Sequence, residues 1–203
     1  MKNIEDIRNI IFDLGGVIVD IDLNRTFTLM HELGIENMEN YITKYTGGGF
    51  AEDFQTGKMS DEQFIATIQQ LSTKTITPKQ IEDAWNAMIM DYETERIIKL
   101  KALKQKYRTF VLSNTNIIHY RNFAFRVPGE THIDNLFEKT YYSHEIGFSK
   151  PNKEAFEVVL KDAGLIPNQT LFLDDSAANV AMASQLGMQA RVVEHGNDWL
   201  NWI

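Results

Sequence analysis

Five short apolar runs punctuate the chain, and most of them stop abruptly at polar or glycine-bearing turns. Ile10-Ile11-Phe12 ends at Asp13-Leu14-Gly15-Gly16, and Thr109-Phe110-Val111-Leu112 ends at Ser113-Asn114-Thr115. Lys139 to Tyr142 is a weaker run, Thr170 to Leu173 ends at Asp174-Asp175, and Ala190 to Val193 is the last. Continuous apolar runs of this length, bounded by turn residues, predict strands buried on both faces. Between them the apolar positions recur at helical spacing. Ile97, Leu100 and Leu103 share a face, as do Phe156, Val159, Leu160 and Ala163, with Gly164 as a helix stop. Val180, Ala183 and Leu186 line a further helix that Gly187 ends, with Ser184 and Gln185 pointing away. Strands alternating with helices predict a parallel sheet wrapped by helices, an α/β Rossmann-like architecture.

One stretch breaks the alternation. For roughly seventy residues after the first run no strong strand pattern appears. Phe64, Ile68 and Leu71 are helix-spaced, and so are Ile81, Ala84, Trp85 and Met88, with Thr77-Pro78 as a helix start. Gly47-Gly48-Gly49 and Gly57 interrupt the pattern. The expectation is an all-helical insert over residues 18–92, seated on a core made of residues 1–17 and 93–203.

Composition narrows the chemistry. The chain has 203 residues, 43% of them hydrophobic, which suits one α/β core with a smaller insert. A net charge of −8 and no basic stripe argue against a nucleic-acid or anionic-membrane partner. The absence of cysteine excludes disulfides, zinc–thiolate sites and cysteine nucleophiles. Met1 to Asn9 is polar, and no segment approaches the roughly 20 apolar residues of a membrane helix, so a cytoplasmic monomer is the default.

Ligands of open parallel sheets bind beyond the carboxyl ends of the strands. There the sequence offers Asp13, then Ser113, Asn114 and Thr115, then Lys150-Pro151 reached through Ser143 and Gly147, then Asp174 and Asp175. Each suits phosphoryl transfer. A carboxylate can attack phosphorus and form an acyl phosphate that water cleaves. Phosphate and several carboxylates share a small space only around a cation, and an all-oxygen ligand set suits Mg²⁺. A hydroxyl and backbone N–H groups can hold phosphoryl oxygens, and a lysine adds positive charge. Blander readings stand beside these: Asp13 as a turn residue, Ser113-Asn114-Thr115 and Asp174-Asp175-Ser176 as helix caps, Lys150 as a solvated lysine. His119 and His144 read as surface or helix-packing residues rather than site residues. The C-terminal Trp199, Leu200 and Trp202 read as a short helix packed on the core.

The segments FDLGGVIVD (Phe12 to Asp20), LSNTN (Leu112 to Asn116), SHEIGFSKP (Ser143 to Pro151) and FLDDSAAN (Phe172 to Asn179), in this order, resemble the haloacid dehalogenase superfamily of aspartate-nucleophile hydrolases. DLGGVIVDID and FQTGKMSDEQF are similar, more narrowly, to the subgroup containing bacterial α-D-glucose-1-phosphate phosphatase and the N-terminal phosphatase domain of soluble epoxide hydrolase. The resemblance implies a Mg²⁺-dependent phosphomonoesterase acting on a small phosphorylated metabolite, a sugar phosphate above all. It implies Asp13 as nucleophile and metal ligand, the Gly15 carbonyl and Asp175 as further ligands, and Asp174 as ligand or neighbour. Gly15, Gly16, Ser113 and the Asn114 backbone would surround the phosphate, with Lys150 pairing to Asp13 and phosphate. The insert would be a helical cap that closes over substrate.

The sequence departs from the family pattern at Gly15, where most phosphatases of the family carry an acid–base aspartate. Such assistance is worth about 10² to 10⁴ in rate. Asp20 and Asp22 are candidates to replace it. Two other readings stay open. One is a 2-haloacid dehalogenase, which attacks carbon without metal and has no use for the acidic pair. The other is a phosphate-binding protein with a weakened site. A phosphoacceptor receiver domain would place its acidic pair at the first strand and leaves the insert unexplained.

Overall fold

The computed structural model describes residues 6–42 and 49–203; Gly47 and Gly48 of the glycine triplet lie outside the described residues. In chain order the strands are β1 (Asn9–Phe12), β2 (Val19–Ile21), β3 (Ile89–Tyr92), β4 (Arg108–Ser113), β5 (Lys139–Tyr142), β6 (Thr170–Asp174) and β7 (Gln189–Val192). The helices are α1 (Leu23–Glu32), α2 (Glu39–Ile42), α3 (Phe50–Gln55), α4 (Asp61–Leu71), α5 (Pro78–Asn86), α6 (Thr94–Lys104), α7 (Ile117–Phe123), α8 (Ser143–Ile146), α9 (Lys153–Asp162) and α10 (Ala177–Gln185).

Five strands form one parallel sheet in the order β5-β4-β1-β6-β7. All five predicted strands are in it, each within a residue or so of its expected bounds. Strands β4 and β5 step away from β1 on one side, and β6 and β7 step away on the other. The order therefore reverses between β1 and β6, which is where a ligand crevice opens in such sheets. The register sets Phe12 opposite Val111 and Leu173. Asp13 is thus level with the carboxyl ends of both neighbours.

Alternation along each strand divides the core in two. Ile10, Phe12, Val111, Leu171 and Leu173 pack with α6 residues Ile97, Leu100 and Leu103 on one face. Ile11, Phe110, Leu112 and Phe172 pack with Phe156 and Val159 of α9 on the other. Trp199 is fully buried in the first cluster, edge-on to Phe12 at 5.2 Å, and its indole N–H donates to the Val17 carbonyl at 3.0 Å. It lies in a 3₁₀ turn, Asp198–Asn201, rather than an α-helix.

The insert has its own core of Met30, Ile35, Phe54, Phe64, Ile68, Ile81 and Trp85. Its helix starts follow the sequence. Ser60 with Gln63, and Thr77 with Gln80, form reciprocal capping boxes, and Pro78 occupies the first turn of α5. The insert is not all-helical, however. Its two ends, β2 and β3, pair as a short antiparallel ribbon, Val19 with Tyr92 and Ile21 with Ile89. Three- and four-residue strands with a register shift leave too few alternating positions to read as strands, and their partner is most of the insert away.

The insert meets the core along a seam. Ile118 of α7 enters the insert's core. The His119 ring stacks on Trp85 at 5.1 Å, and Nδ1 lies 3.0 Å from the Asn86 side-chain oxygen. Arg121 pairs with Asp61 at 2.6 Å. Gly57, with φ +71, lies so near α8 that a Cβ would stand 2.2 Å from the His144 carbonyl oxygen; any side chain there would force the seam open.

Burial holds the His119 imidazole far below its usual range, at about 3. The folded protein keeps it neutral while the unfolded chain takes up a proton near pH 6.5. Its contribution to stability is complete above that pH and is lost progressively as pH falls towards 3, by up to about 1.4 kcal/mol per pH unit. Urea unfolding at stepped pH should show this loss, and His119→Gln should flatten the profile below pH 6.5.

Candidate active site

Asp13 follows β1 directly, its N–H bonded to the Leu173 carbonyl at 2.8 Å. Asp174 is the last residue of β6. The two carboxylates therefore flank the point where strand order reverses. Lys150 reaches them from the loop between α8 and α9. Its Nζ donates to Asp13 Oδ1 at 2.8 Å and to Asp174 Oδ2 at 2.6 Å. The lysine is 4% exposed and Asp13 8%.

Every part of this bridge is held. Asp174 Oδ1 accepts from the Ser176 N–H and from Asn179 Nδ2, both at 2.8 Å. Asn114 grips the backbone of Lys150 from both sides, Oδ1 accepting from its N–H and Nδ2 donating to its carbonyl, both at 2.8 Å. The Lys150-Pro151 peptide is cis. Ser143 Oγ accepts from the Thr115 N–H at 2.8 Å and donates to the Thr115 carbonyl at 2.9 Å, joining the β4 and β5 ends. Ser113 is buried at the end of β4.

Asp175 completes the cluster. Oxygens of Asp13, Asp174 and Asp175 lie within 4.8 Å of one another. Gly16, with φ +77, makes room for it, since a Cβ there would stand 2.7 Å from Asp175 Oδ2. The Lys150 ammonium bridges two of the three carboxylates. Burial, reinforced by the charges of Asp174 and Asp175 and opposed by Lys150, pushes the Asp13 carboxyl up to about 7. Burial would pull Lys150 down, but Asp13 and Asp174 hold it above the ordinary lysine value. An all-oxygen set of three clustered carboxylates fits a hard divalent cation.

The sequence-predicted residues Asp13, Lys150, Asp174 and Asp175 thus meet at one place, with Gly16 against Asp175. The Asn114 side chain is a clamp on the Lys150 backbone. The two candidates for the missing acid are engaged elsewhere. Asp20 pairs with the buried Arg96 at 2.8 and 3.2 Å, and Asp22 caps α1 through the Asn24 N–H. At Gly15 a Cβ would stand 3.1 Å from Cγ1 of Ile21, whose side chain fills the neighbouring space. His144 packs against Tyr120 and Tyr142, and burial lowers its pKa. Asn179 was missed as a site residue. Its signal was its place in the first turns of α10, five positions after Asp174.

A model of the haloacid dehalogenase-like hydrolases matches residues 7–187, and the chain belongs to that family. It is 30% identical over 196 residues to a D-ribitol-5-phosphate phosphatase of Bacteroides thetaiotaomicron, covering 95% of each chain. Among solved structures it matches a family enzyme of Bacteroides thetaiotaomicron in complex with magnesium and inorganic phosphate, with TM-score 0.90 and 33% identity, covering 95% of this chain and 96% of that one. A predicted family hydrolase from Porphyromonas gingivalis matches with TM-score 0.88 and 32% identity, over 95% of this chain and 94% of that one.

With no cation bound, Asp13 opposes folding as pH rises. Its folded pKa lies above the unfolded value, so stability falls between about pH 4 and 7. Asp13→Asn should therefore flatten the fall in stability of the metal-free protein between about pH 4 and 7, read by urea unfolding at stepped pH. Added Mg²⁺ should weaken the same fall in the wild-type protein.

Proposed function

We propose that this chain is a Mg²⁺-dependent phosphomonoesterase with a small phosphorylated sugar or polyol as substrate. One observation carries the reading: a buried lysine bridges Asp13 and Asp174, with Asp175 in the same cluster. The relative that acts on D-ribitol 5-phosphate supports the substrate class, and the relative with magnesium and phosphate supports the cofactor.

In this reading Asp13, Asp175 and the Gly15 carbonyl hold Mg²⁺, with Asp174 as ligand or immediate neighbour. The cation supplies charge neutralisation and polarisation of phosphoryl oxygens. A carboxylate oxygen of Asp13 attacks phosphorus, the ester P–O bond breaks, and an aspartyl phosphate forms. Water then attacks that phosphorus, releasing phosphate and restoring the carboxylate. Lys150 keeps Asp13 oriented and offsets charge on the phosphoryl group. Gly16, Ser113 and the Asn114 backbone surround the phosphoryl oxygens. Residues 18–92 act as the cap, 1–17 and 93–203 as the core, and the β2–β3 ribbon joins them. A dehalogenase reading leaves the three-carboxylate cluster without a purpose.

Gly15 offers no side chain to protonate the leaving oxygen, and the side chain nearest its Cβ position is Ile21. In this reading the proton at that end comes from a source other than position 15.

Phosphate release from a panel of sugar and polyol phosphates, D-ribitol 5-phosphate among them, tests the proposal. Activity should require Mg²⁺, disappear with chelator, and fall by about 10³ or more in Asp13→Asn and Lys150→Ala. No release above the Asp13→Asn background on any ester overturns it. Gly15→Asp alone should gain little, because Ile21 crowds its Cβ. Gly15→Asp with Ile21→Ala should raise kcat by about tenfold or more if proton transfer limits turnover.

A further inference from the structure

The loop that carries Lys150 is gripped from two directions. From the core, Asn114 bonds both backbone groups of Lys150. From the insert, Glu52 of α3 reaches the preceding residue. Ser149 Oγ donates to Glu52 Oε1 at 2.7 Å, and Ser149 is 3% exposed. The other carboxylate oxygen, Oε2, accepts from Gln55 Nε2 within the same helix. Ser149 Oγ also accepts a long bond from Asn152 Nδ2 at 3.4 Å. The α3–α4 turn is pressed onto the same region, through Gly57 against the His144 carbonyl.

From this arrangement we infer that Glu52 is a positioning residue, through which docking of the insert sets the placement of Lys150. The chain of contacts is short. Glu52 fixes the Ser149 hydroxyl, Ser149 adjoins Lys150, and Lys150 Nζ bridges Asp13 and Asp174. With the insert lifted, Ser149 loses its charged acceptor, and the loop is held from the core alone, by the Asn114 clamp and the Lys150 bonds to Asp13 and Asp174. With the insert seated, the loop is held at both ends. Enclosure of a substrate and alignment of the lysine that orients Asp13 thereby become one event. A glutamate suits this role because a charged acceptor makes a stronger bond to a buried hydroxyl than a neutral one does, and because Gln55 holds its second oxygen. Neither Glu52 nor Ser149 needs to touch the substrate.

The kinetic consequence rests on the phosphatase reading, whereas the structural consequence does not. Amide hydrogen exchange across residues 147–153 is the first measurement. Glu52→Ala and Ser149→Ala should each speed exchange there by about tenfold, and Glu52→Gln, which keeps an acceptor oxygen, should restore most of the protection. Asp61→Asn, which breaks the separate seam contact with Arg121, should leave exchange at 147–153 unchanged. Unaltered exchange in Glu52→Ala, or equal acceleration in Asp61→Asn, overturns the inference even if the protein hydrolyses no ester.

The second measurement is turnover on the best substrate of the panel. Glu52→Ala and Ser149→Ala should each lower kcat by about tenfold with KM changed by less than about threefold, and the double variant should be no worse than either single one. Glu52→Gln should return kcat to within about threefold of wild type. Additive losses, or a loss confined to KM, would mean that the two residues do not act through Lys150.

Discussion

The structure is organised around a buried ammonium shared by two carboxylates. Lys150 and Asp13 lie 137 positions apart in the chain, and Lys150 and Asp174 lie 24 apart. A buried charge without a partner costs several kcal/mol, so none of the three can be buried alone. Together they require that the β1 and β6 ends lie side by side and that the α8–α9 loop fold back over them. The parallel register meets the first condition, and the Asn114 clamp meets the second. The reversal of strand order between β1 and β6 leaves the crevice in which the pair can sit.

Asp175 brings a third carboxylate into the same cluster, and Gly16, at positive φ and without a Cβ, leaves room for it. In the cation-free molecule burial above all, with the charges of Asp174 and Asp175 added, makes the Asp13 carboxyl hard to ionise. Carboxylates clustered beside one ammonium suit a divalent cation and a phosphate ester together, because each relieves the charge the other creates. Family membership and the local geometry therefore lead to the same chemistry by independent routes.

The insert and the core are joined by packing as well as by the chain. Its apolar core is completed by Ile118 from α7, its seam carries a neutral buried histidine, and its base is a two-stranded ribbon. The Arg96–Asp20 pair ties that ribbon to α6, and Arg96 also bonds the Asn197 side chain. An aspartate that looked available for proton transfer is instead part of the joint between insert and core.

The local pattern was sufficient for the five core strands, the helix start at Thr77-Pro78, the packing of Trp199 on the core, and the polar residues at the strand ends. These depend on spacing, capping and turn chemistry, which act over a few residues. It was also sufficient to name Asp13, Lys150, Asp174 and Asp175 as a set, since their order along the chain resembled that of a known family. Tertiary structure alone decided the rest. The β2–β3 ribbon closes across the insert, Ile21 fills the space beside Gly15, Asn179 braces Asp174, and Glu52 meets Ser149. Each depends on which distant surfaces come together. That choice follows from burial and loop closure over long separations, quantities that no window of sequence contains.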